Sequence, residues 1–466
     1  MTTTLPRSSL PHPPHRLPVL GDVLTADPSR PAQHLTELAA TLGPIFDTRI
    51  FRRHLTVVSG TDLYADLCDD RRFGKHIGFS IAFAREVVGD ALFSAYTTEP
   101  NWVRAHNILQ PAFSLSAMKN YHDTMLRTAR QLIAYWDSES RTGPVDVHTG
   151  TSKMTLQTIG LIGFGHDFHS FDRADPDPYA AAVMRGFAYM GRSAYRLPIR
   201  WLDRVVHHRT ITRVEDDIAY TRRVVDDVIR ARKQDPENAP DDDLLALMLT
   251  NPDPESGRLL GDANVRNQVL TFLNAGHETT AGALSFALYQ LATHPTVADR
   301  ARTEIQALWP AGTDPDPAFS DVHRLRYLRR ALDESLRLWP IAPAFFREPL
   351  RDTLLGGRYH LPAGQPVLAL TMAVHRDPVW GPDPTAFDPD RFLPENSRTR
   401  PPGVYKPFGT GLRQCIGRQL ALHESVLALA LILHRFDLEP VSGDRLEVAE
   451  EFTLKPVNLR LRLHRR

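Results

Sequence analysis

From about residue 61 to about 310, apolar positions recur at three- and four-residue intervals, the period of helices buried along one face. LRTARQLIAYWDSES (126–140) and SKMTLQTIGLIGFG (152–165) are amphipathic examples, and PENAPDDDLLALML (236–249) has breakers and acidic cap signals ahead of its apolar run. The longest candidate helix, residues 262–295, is apolar nearly all round, which predicts a helix through the centre of the molecule. A further helix, VHRLRYLRRALDESLRLWP, stops at Pro340. Before the helical region, AQHLTELAATLG is a short helix and PIFDTRIFRRHLTVVSG is strand-like. Short strands and turns follow over 341–374, then a Pro-rich irregular segment and a last long helix. The tail NLRLRLHRR alternates like an edge strand.

This pattern predicts a mainly α fold with small β-sheets. No linker or repeat divides the 466 residues, so the expectation is an extended Pro-rich lead-in over 1–32 and one domain over 33–466. Lys+Arg and Asp+Glu are both 55, and no basic tail exists, which speaks against nucleic acid as partner. Two cysteines point to a reducing compartment. The N-terminus lacks the apolar core of a signal peptide, and VLALALIL (426–433) is too short to span a bilayer. These features are those of a soluble cytoplasmic protein, read as a monomer.

The chemistry concentrates at KPFGTGLRQCIGRQL, 406–420. Cys415 lies just before an apolar helix, two residues after Arg413, behind Gly409 and Gly411. A helix N-terminus and a nearby cation would lower a thiol pKa. Gly409 and Gly411 allow a tight loop with amides aimed at the sulfur, and Gly417 lets a flat group approach the helix start. For a lone cysteine the plain alternative is a small core residue. A cysteine hydrolase would need a histidine and an acid at recognisable spacing, and a zinc site would need more sulfur. The remaining chemistry is one axial thiolate to haem iron.

FGTGLRQCIG (408–417) resembles the haem-binding loop of the cytochromes P-450, F-x-x-G-x-R-x-C-x-G, at every fixed position. AGHETT (275–280), ESLR (334–337) and FDPDRF (387–392) resemble further family motifs in the family's order. NWVRAHNILQPAFS, TFLNAGHETTAGALSFALY, RLWPIAPAF and ALHES are most similar to the haem domain of bacterial self-sufficient fatty-acid hydroxylases. The resemblance covers nearly the whole chain. It implies the triangular, mostly α P-450 fold and haem b with Cys415 as the axial iron ligand, its sulfur shielded by Phe408. Arg413, Trp102, His106 and Lys75 would contact the haem propionates, with Arg347 a further candidate. Ala275 and Gly276 would leave room above the iron, with Thr279 as hydrogen-bond donor and Glu278 near the relay delivering protons to dioxygen. Ala275, Glu278 and Thr279 fall at i, i+3 and i+4, on one helix face. Glu334, Arg337 and Arg391 would form a buried structural set.

The pocket is where the resemblance thins. Phe93, Ile341 and Ala342 match pocket positions, and Arg53 is placed as the carboxylate-holding arginine, with Arg52 and Arg49 competing. The supporting tyrosine is replaced by Val57, and a channel-mouth phenylalanine by Thr48. Asn274 replaces a pocket isoleucine, and Val88 and Phe452 replace smaller or aliphatic side chains. A polar amide suggests a substrate oxygen beside it. The expectation is therefore a haem-thiolate monooxygenase hydroxylating a hydrophobic specialised metabolite, of polyketide or polycyclic aromatic type, as in antibiotic biosynthesis. A fatty-acid hydroxylase is the alternative, and a haem protein without oxygenase activity, or a peroxide-using isomerase, is another class that Glu278 and Thr279 argue against. Because the chain ends with the haem domain, electrons from NAD(P)H are expected through a separate ferredoxin or flavodoxin with its reductase, docking near Arg413 and Arg418.

Overall fold

In the computed structural model, which describes residues 10–196, 200–235, 242–441, 443 and 445–466, helices dominate and four small sheets lie at the margins. The breaker signals at 236–241 and residues 1–9 of the lead-in lie outside the described residues. The apolar 262–295 segment forms one helix, Asp262–Thr293, buried along most of its length. Its main neighbour is the helix Val147–Phe164. That neighbour carries threonines and glycines among its apolar residues, and they set the contact. The Thr155 hydroxyl donates to the His277 carbonyl at 2.8 Å, and Ser152 Oγ lies 2.8 Å from His277 Nε2. A side chain at Gly276 would meet Ile159 at 2.9 Å. Small residues thus let the two helices approach closely, and hydroxyls satisfy the polar groups that burial would otherwise strand.

The strand-like segment forms an antiparallel hairpin, Ile45–Ile50 with Arg53–Val58. The second strand pairs in parallel with Val367–Ala369, which continues through Phe345–Pro349 to Phe73–Lys75. The helix before Pro340 spans Arg326–Leu338 and buries Glu334 and Arg337. Two expectations are corrected. The tail strand Arg460–Arg465 lies in the middle of a three-stranded sheet, between Val145–Asp146 and Phe436–Pro440. Its alternation reports one solvated face, with Leu461 and Leu463 inward, and says nothing about a free edge. The described part of the lead-in is a series of turns docked on the hairpin rather than an extended arm. Arg16 bridges Asp22 at 2.8 Å and Asp47 at 3.1 Å, and Gly21 bridges to Ile50. The first helix begins at Pro31, a residue suited to the first helical turn, and Glu450 caps it from far along the chain through the Ala32 and Gln33 amides.

Candidate active site

One large cavity, about 650 Å³, runs from the hairpin and the first helix to the sulfur of Cys415. One wall is the middle of the central helix, through Thr271, Asn274, Ala275, Gly276, Thr279 and Thr280. The opposite wall is the Cys415 loop. Gly409 and Gly411 have φ of +75° and +61°, values that glycine adopts without steric cost. The loop closes through Cys415 N–H to the Phe408 carbonyl at 2.9 Å. Asp70 holds it from outside by accepting the Leu412 amide at 2.9 Å, while its other oxygen pairs with Arg347 at 2.8 Å. A Cβ at Gly411 would lie 1.6 Å from Asp70 Oδ2, so close approach as well as φ requires glycine there.

The sulfur is open to the cavity and otherwise enclosed by protein. Burial raises its thiol pKa, opposed by the Gly417 amide and the Arg418 charge. Arg413 is not the opposing cation, contrary to the expectation from spacing. The turn at Gly411–Arg413 swings its guanidinium to the far side, 4.6 Å from the Trp102 ring centre. There Nη2 donates to the Leu92 and Ala95 carbonyls at 2.7 and 2.9 Å, while Nη1 is buried with no partner among the described residues. Burial lowers its pKa to about 10. Trp102 in turn stacks on His106 at 4.9 Å. The Lys75 ammonium bonds the Phe93 carbonyl, and burial, followed by the charges of Arg413 and Arg85, holds its pKa well below the lysine range. Arg85 is matched by Glu99 at 2.7 Å. Arg413 thus presents positive charge and an unsatisfied donor, with the Lys75 amine beside it, at the rim of a cavity floored by sulfur. This arrangement fits a flat, iron-containing group with carboxylate arms, ligated by the thiolate. Arg347 also lines the cavity, but its guanidinium is already engaged, donating to the Leu67 and Phe73 carbonyls as well as to Asp70.

On the central-helix wall, the Thr279 hydroxyl donates to the Ala275 carbonyl at 2.6 Å, so its oxygen is left as an acceptor toward the cavity. Glu278 does not share that face. Its carboxylate is buried behind the helix, 3.3 Å from His148 Nε2 and 4.0 Å from Lys455 Nζ, off the cavity wall. Burial raises its pKa, but His148, His277 and Lys455 outweigh burial and hold it below the usual range. A spacing of three and one of four deviate from a full turn in opposite directions, and here the wall falls on the Ala275–Thr279 side. Asn274 is on the wall, and its carbonyl oxygen has a partner. The Tyr179 hydroxyl donates to its Oδ1 at 2.9 Å.

Farther out, Phe93 meets Phe452 edge-on at 5.7 Å, and Phe187 lies 5.7 Å from Phe452 on the other side. Val88, Ile341 and Ala342 complete this apolar section. Of the three candidate arginines, Arg53 lines the cavity, its Nη1 donating to the Ser193 carbonyl at 3.0 Å. Arg49 is held by the Pro18 carbonyl at 2.7 Å, and Arg52 is exposed off the wall. The structural set assembles as well. Arg337 donates to both oxygens of Glu334 at 2.6 and 2.7 Å, and Arg391 Nε lies 3.3 Å from Glu334. Among the described residues no cluster of three or more His, Cys, Asp or Glu could hold a metal ion, and no helix is long and apolar enough to cross a membrane.

Two residues escaped the sequence reading, Glu450 on the cavity wall and Tyr179 behind it. Tyr179 sits behind an Asp-Pro helix start, Asp177 accepting its amide at 2.7 Å, and nothing local marks its reach to Asn274. Glu450 lines the mouth while capping a helix more than four hundred positions away.

Comparison with known proteins gives consistent findings. The Cytochrome P450 family model matches residues 11–463. A bifunctional cytochrome P450/NADPH–P450 reductase of Bacillus cereus is 40% identical over 98% of this chain and 42% of its own length. A second such protein, of Bacillus subtilis, is 41% identical over 92% of the chain and 40% of its own length. The chain thus spans about two fifths of these curated relatives. The crystal structure of a cytochrome P450 (CYP102L1) superposes with a TM-score of 0.91 at 40% identity, covering 100% of both chains.

Proposed function

The chain belongs to the cytochrome P450 family, and on that premise we propose that it is a haem-thiolate monooxygenase that hydroxylates long-chain, fatty-acid-type substrates. The observation that carries the reading is the cavity floor, where Cys415 faces inward and the orphaned Nη1 of Arg413 stands at the rim with Lys75. When bound, haem supplies electron-transfer and dioxygen chemistry, tuned by its axial thiolate. The chain's own groups do the rest. Cys415 ligates, Phe408 covers the sulfur side, and Arg413, Lys75, Trp102 and His106 hold the carboxylate arms. The Thr279 oxygen accepts and passes on a proton beside Ala275. Phe93 and Phe452 exclude water and press an alkyl chain toward the centre, and Arg53 at the mouth meets an anionic head. The long apolar channel with a cation at its outer end favours a fatty-acid type over the bulkier alternative. Tyr179 already occupies the Oδ1 of Asn274, so a ligand meets only its NH2 end. A polyketide or polycyclic aromatic substrate remains the second reading, supported by the amide end of Asn274 and the bulk of Phe452.

Electrons come from NAD(P)H through a flavodoxin- or ferredoxin-type protein and its reductase. Arg418, beside the sulfur loop, is the docking cation, because Arg413 is turned inward. The test is reconstitution. Haem-loaded protein with NADPH, reductase and flavodoxin should convert saturated fatty acids to hydroxy acids, more slowly at high salt because screening weakens docking. Oxidation of polycyclic substrates with none of fatty acids would reverse the order of the two readings. No product from either would refute the monooxygenase assignment.

A further inference from the structure

The central helix presents hydroxyls and one amide to the cavity, and they are not equivalent. Thr271 and Thr279 give their protons to carbonyls of their own helix, Asn267 O at 2.8 Å and Ala275 O at 2.6 Å. Both therefore offer only acceptor capacity to a ligand. Asn274 differs because of what stands behind it. Tyr179 is 1% exposed, packed against the Phe168 ring at 5.6 Å, and its hydroxyl has no other hydrogen-bond partner among the described residues. A buried phenol left with an idle O–H is destabilising, so Tyr179 donates to the amide and fixes its rotamer. The carbonyl end of Asn274 faces Tyr179. The NH2 end is left on the wall of the cavity that Cys415 also lines, beside Ala275 on the helix, where it has no partner among the described residues.

We propose that Asn274, oriented by Tyr179, is a specificity-determining hydrogen-bond donor, and that the preferred substrate carries an acceptor oxygen (a ketone, ester or ether) close to the carbon that is oxidised. This rests on the monooxygenase reading of the cavity. It refines either substrate class, requiring an internal oxygen on an alkyl chain or a carbonyl on a ring system. Tyr179 is a positioning residue: it touches no ligand and acts by deciding which end of the amide the ligand meets.

The experiment uses haem-loaded protein and two probe pairs. One is a saturated fatty acid with its oxo acids, the ketone placed at successive carbons of the distal half. The other is a polycyclic hydrocarbon with its ketone. Affinities are read from the ligand-induced spin-state change and by calorimetry. A neutral hydrogen bond supports about a threefold to tenfold preference of wild type for the best ketone over its parent. Asn274→Leu should abolish that preference and bind the parent equally or more tightly. Tyr179→Phe should shrink it while changing parent affinity less than about twofold, because the amide is freed to turn. If Tyr179 merely braces two helices, Tyr179→Phe will lower the thermal midpoint and leave the preference intact, which overturns its assigned role. No ketone preference in wild type on either scaffold, no binding of any probe, or an undiminished preference in Asn274→Leu overturns the proposal. Failure of the monooxygenase reading is separate: the ketone preference would persist in titrations while reconstituted protein yields no oxygenated product.

Discussion

Glu424 offers a quantitative test of the core because its charge has nowhere to go. It lies on the helix Arg418–Arg435, 2% exposed, against the threonine pair Thr128–Thr158, and its Oε1 has no partner among the described residues. Burial pushes its carboxyl from 4.5 to about 8, opposed only by the Thr158 hydroxyl. The sign follows from the proton count. Between those two values the folded protein keeps a proton that the unfolded chain has released, so stability falls as pH rises through that window. At 1.36 kcal/mol per pH unit the loss approaches roughly 5 kcal/mol by pH 8, with relaxation or entry of a water bringing it lower. Glu424→Gln keeps the shape and a hydrogen-bonding group for Thr158 but cannot ionise. The assay is urea unfolding of haem-loaded wild type and variant at pH 5, 6.5 and 8, followed by far-ultraviolet circular dichroism. Near pH 5 the two should unfold at similar midpoints. By pH 8 the variant should be more stable by at least about 2 kcal/mol, well above the scatter of such measurements. The buried histidines, including His423 held down to about 3, titrate alike in both proteins and cancel in the difference. Parallel stability curves across this range would refute the reasoning, since they would mean that Glu424 is ionised and partnered in the fold.

Cys415→Ser should lose the red-shifted Soret band that a thiolate gives the reduced carbon monoxide complex, whereas Cys68→Ser should keep it; the reverse result would move the ligand to the other cysteine. Thr279→Ala should bind haem and substrate normally but release more peroxide and less product per NADPH, and unchanged coupling would reduce Thr279 to a helix residue. Glu334→Gln leaves the fully buried Arg337 guanidinium without its counter-charge and should cost about 3–5 kcal/mol in the same urea assay, nearer the lower figure because the His375, Pro384 and Ala386 carbonyls still accept from it. A change under about 1 kcal/mol would mean that those carbonyls suffice.

Much of the frame was legible because periodicity reports burial. The central helix is apolar nearly all round, and it lies in the core over almost its predicted span. The Pro340 stop and the first hairpin were equally readable. What periodicity does not report is pairing partner. The alternation of Leu461 and Leu463 fixes an inward face, yet whether one strand or two flank it is decided by Val145–Asp146, more than three hundred positions earlier. The docked lead-in depends on the same kind of distant contact, Arg16 reaching Asp47. Within the site, the Cys415 loop was readable because glycine at positive φ leaves a local trace, whereas the turn of Arg413 away from the sulfur depends on the Leu92 and Ala95 carbonyls.

Glu278 and Thr279 show how a motif can be read correctly and its geometry misjudged. Adjacent residues on a helix point about 100° apart, so two neighbours need not both reach the cavity. Thr279 takes the wall with Ala275. Glu278 is carried to the back of the helix, where Lys455 on the strand Leu454–Val457 and His148 on the helix Val147–Phe164 supply the charges that keep it ionised. A carboxylate in that position has no contact with the cavity wall, and His148 beside it is partly exposed. On the proposed function, proton handling at the cavity face would fall to Thr279. Because its hydroxyl proton is already given to the Ala275 carbonyl, a proton can pass only when that bond breaks or when the oxygen first accepts another. On the proposed function, that exchange would take place beside Ala275, on the cavity that Cys415 floors.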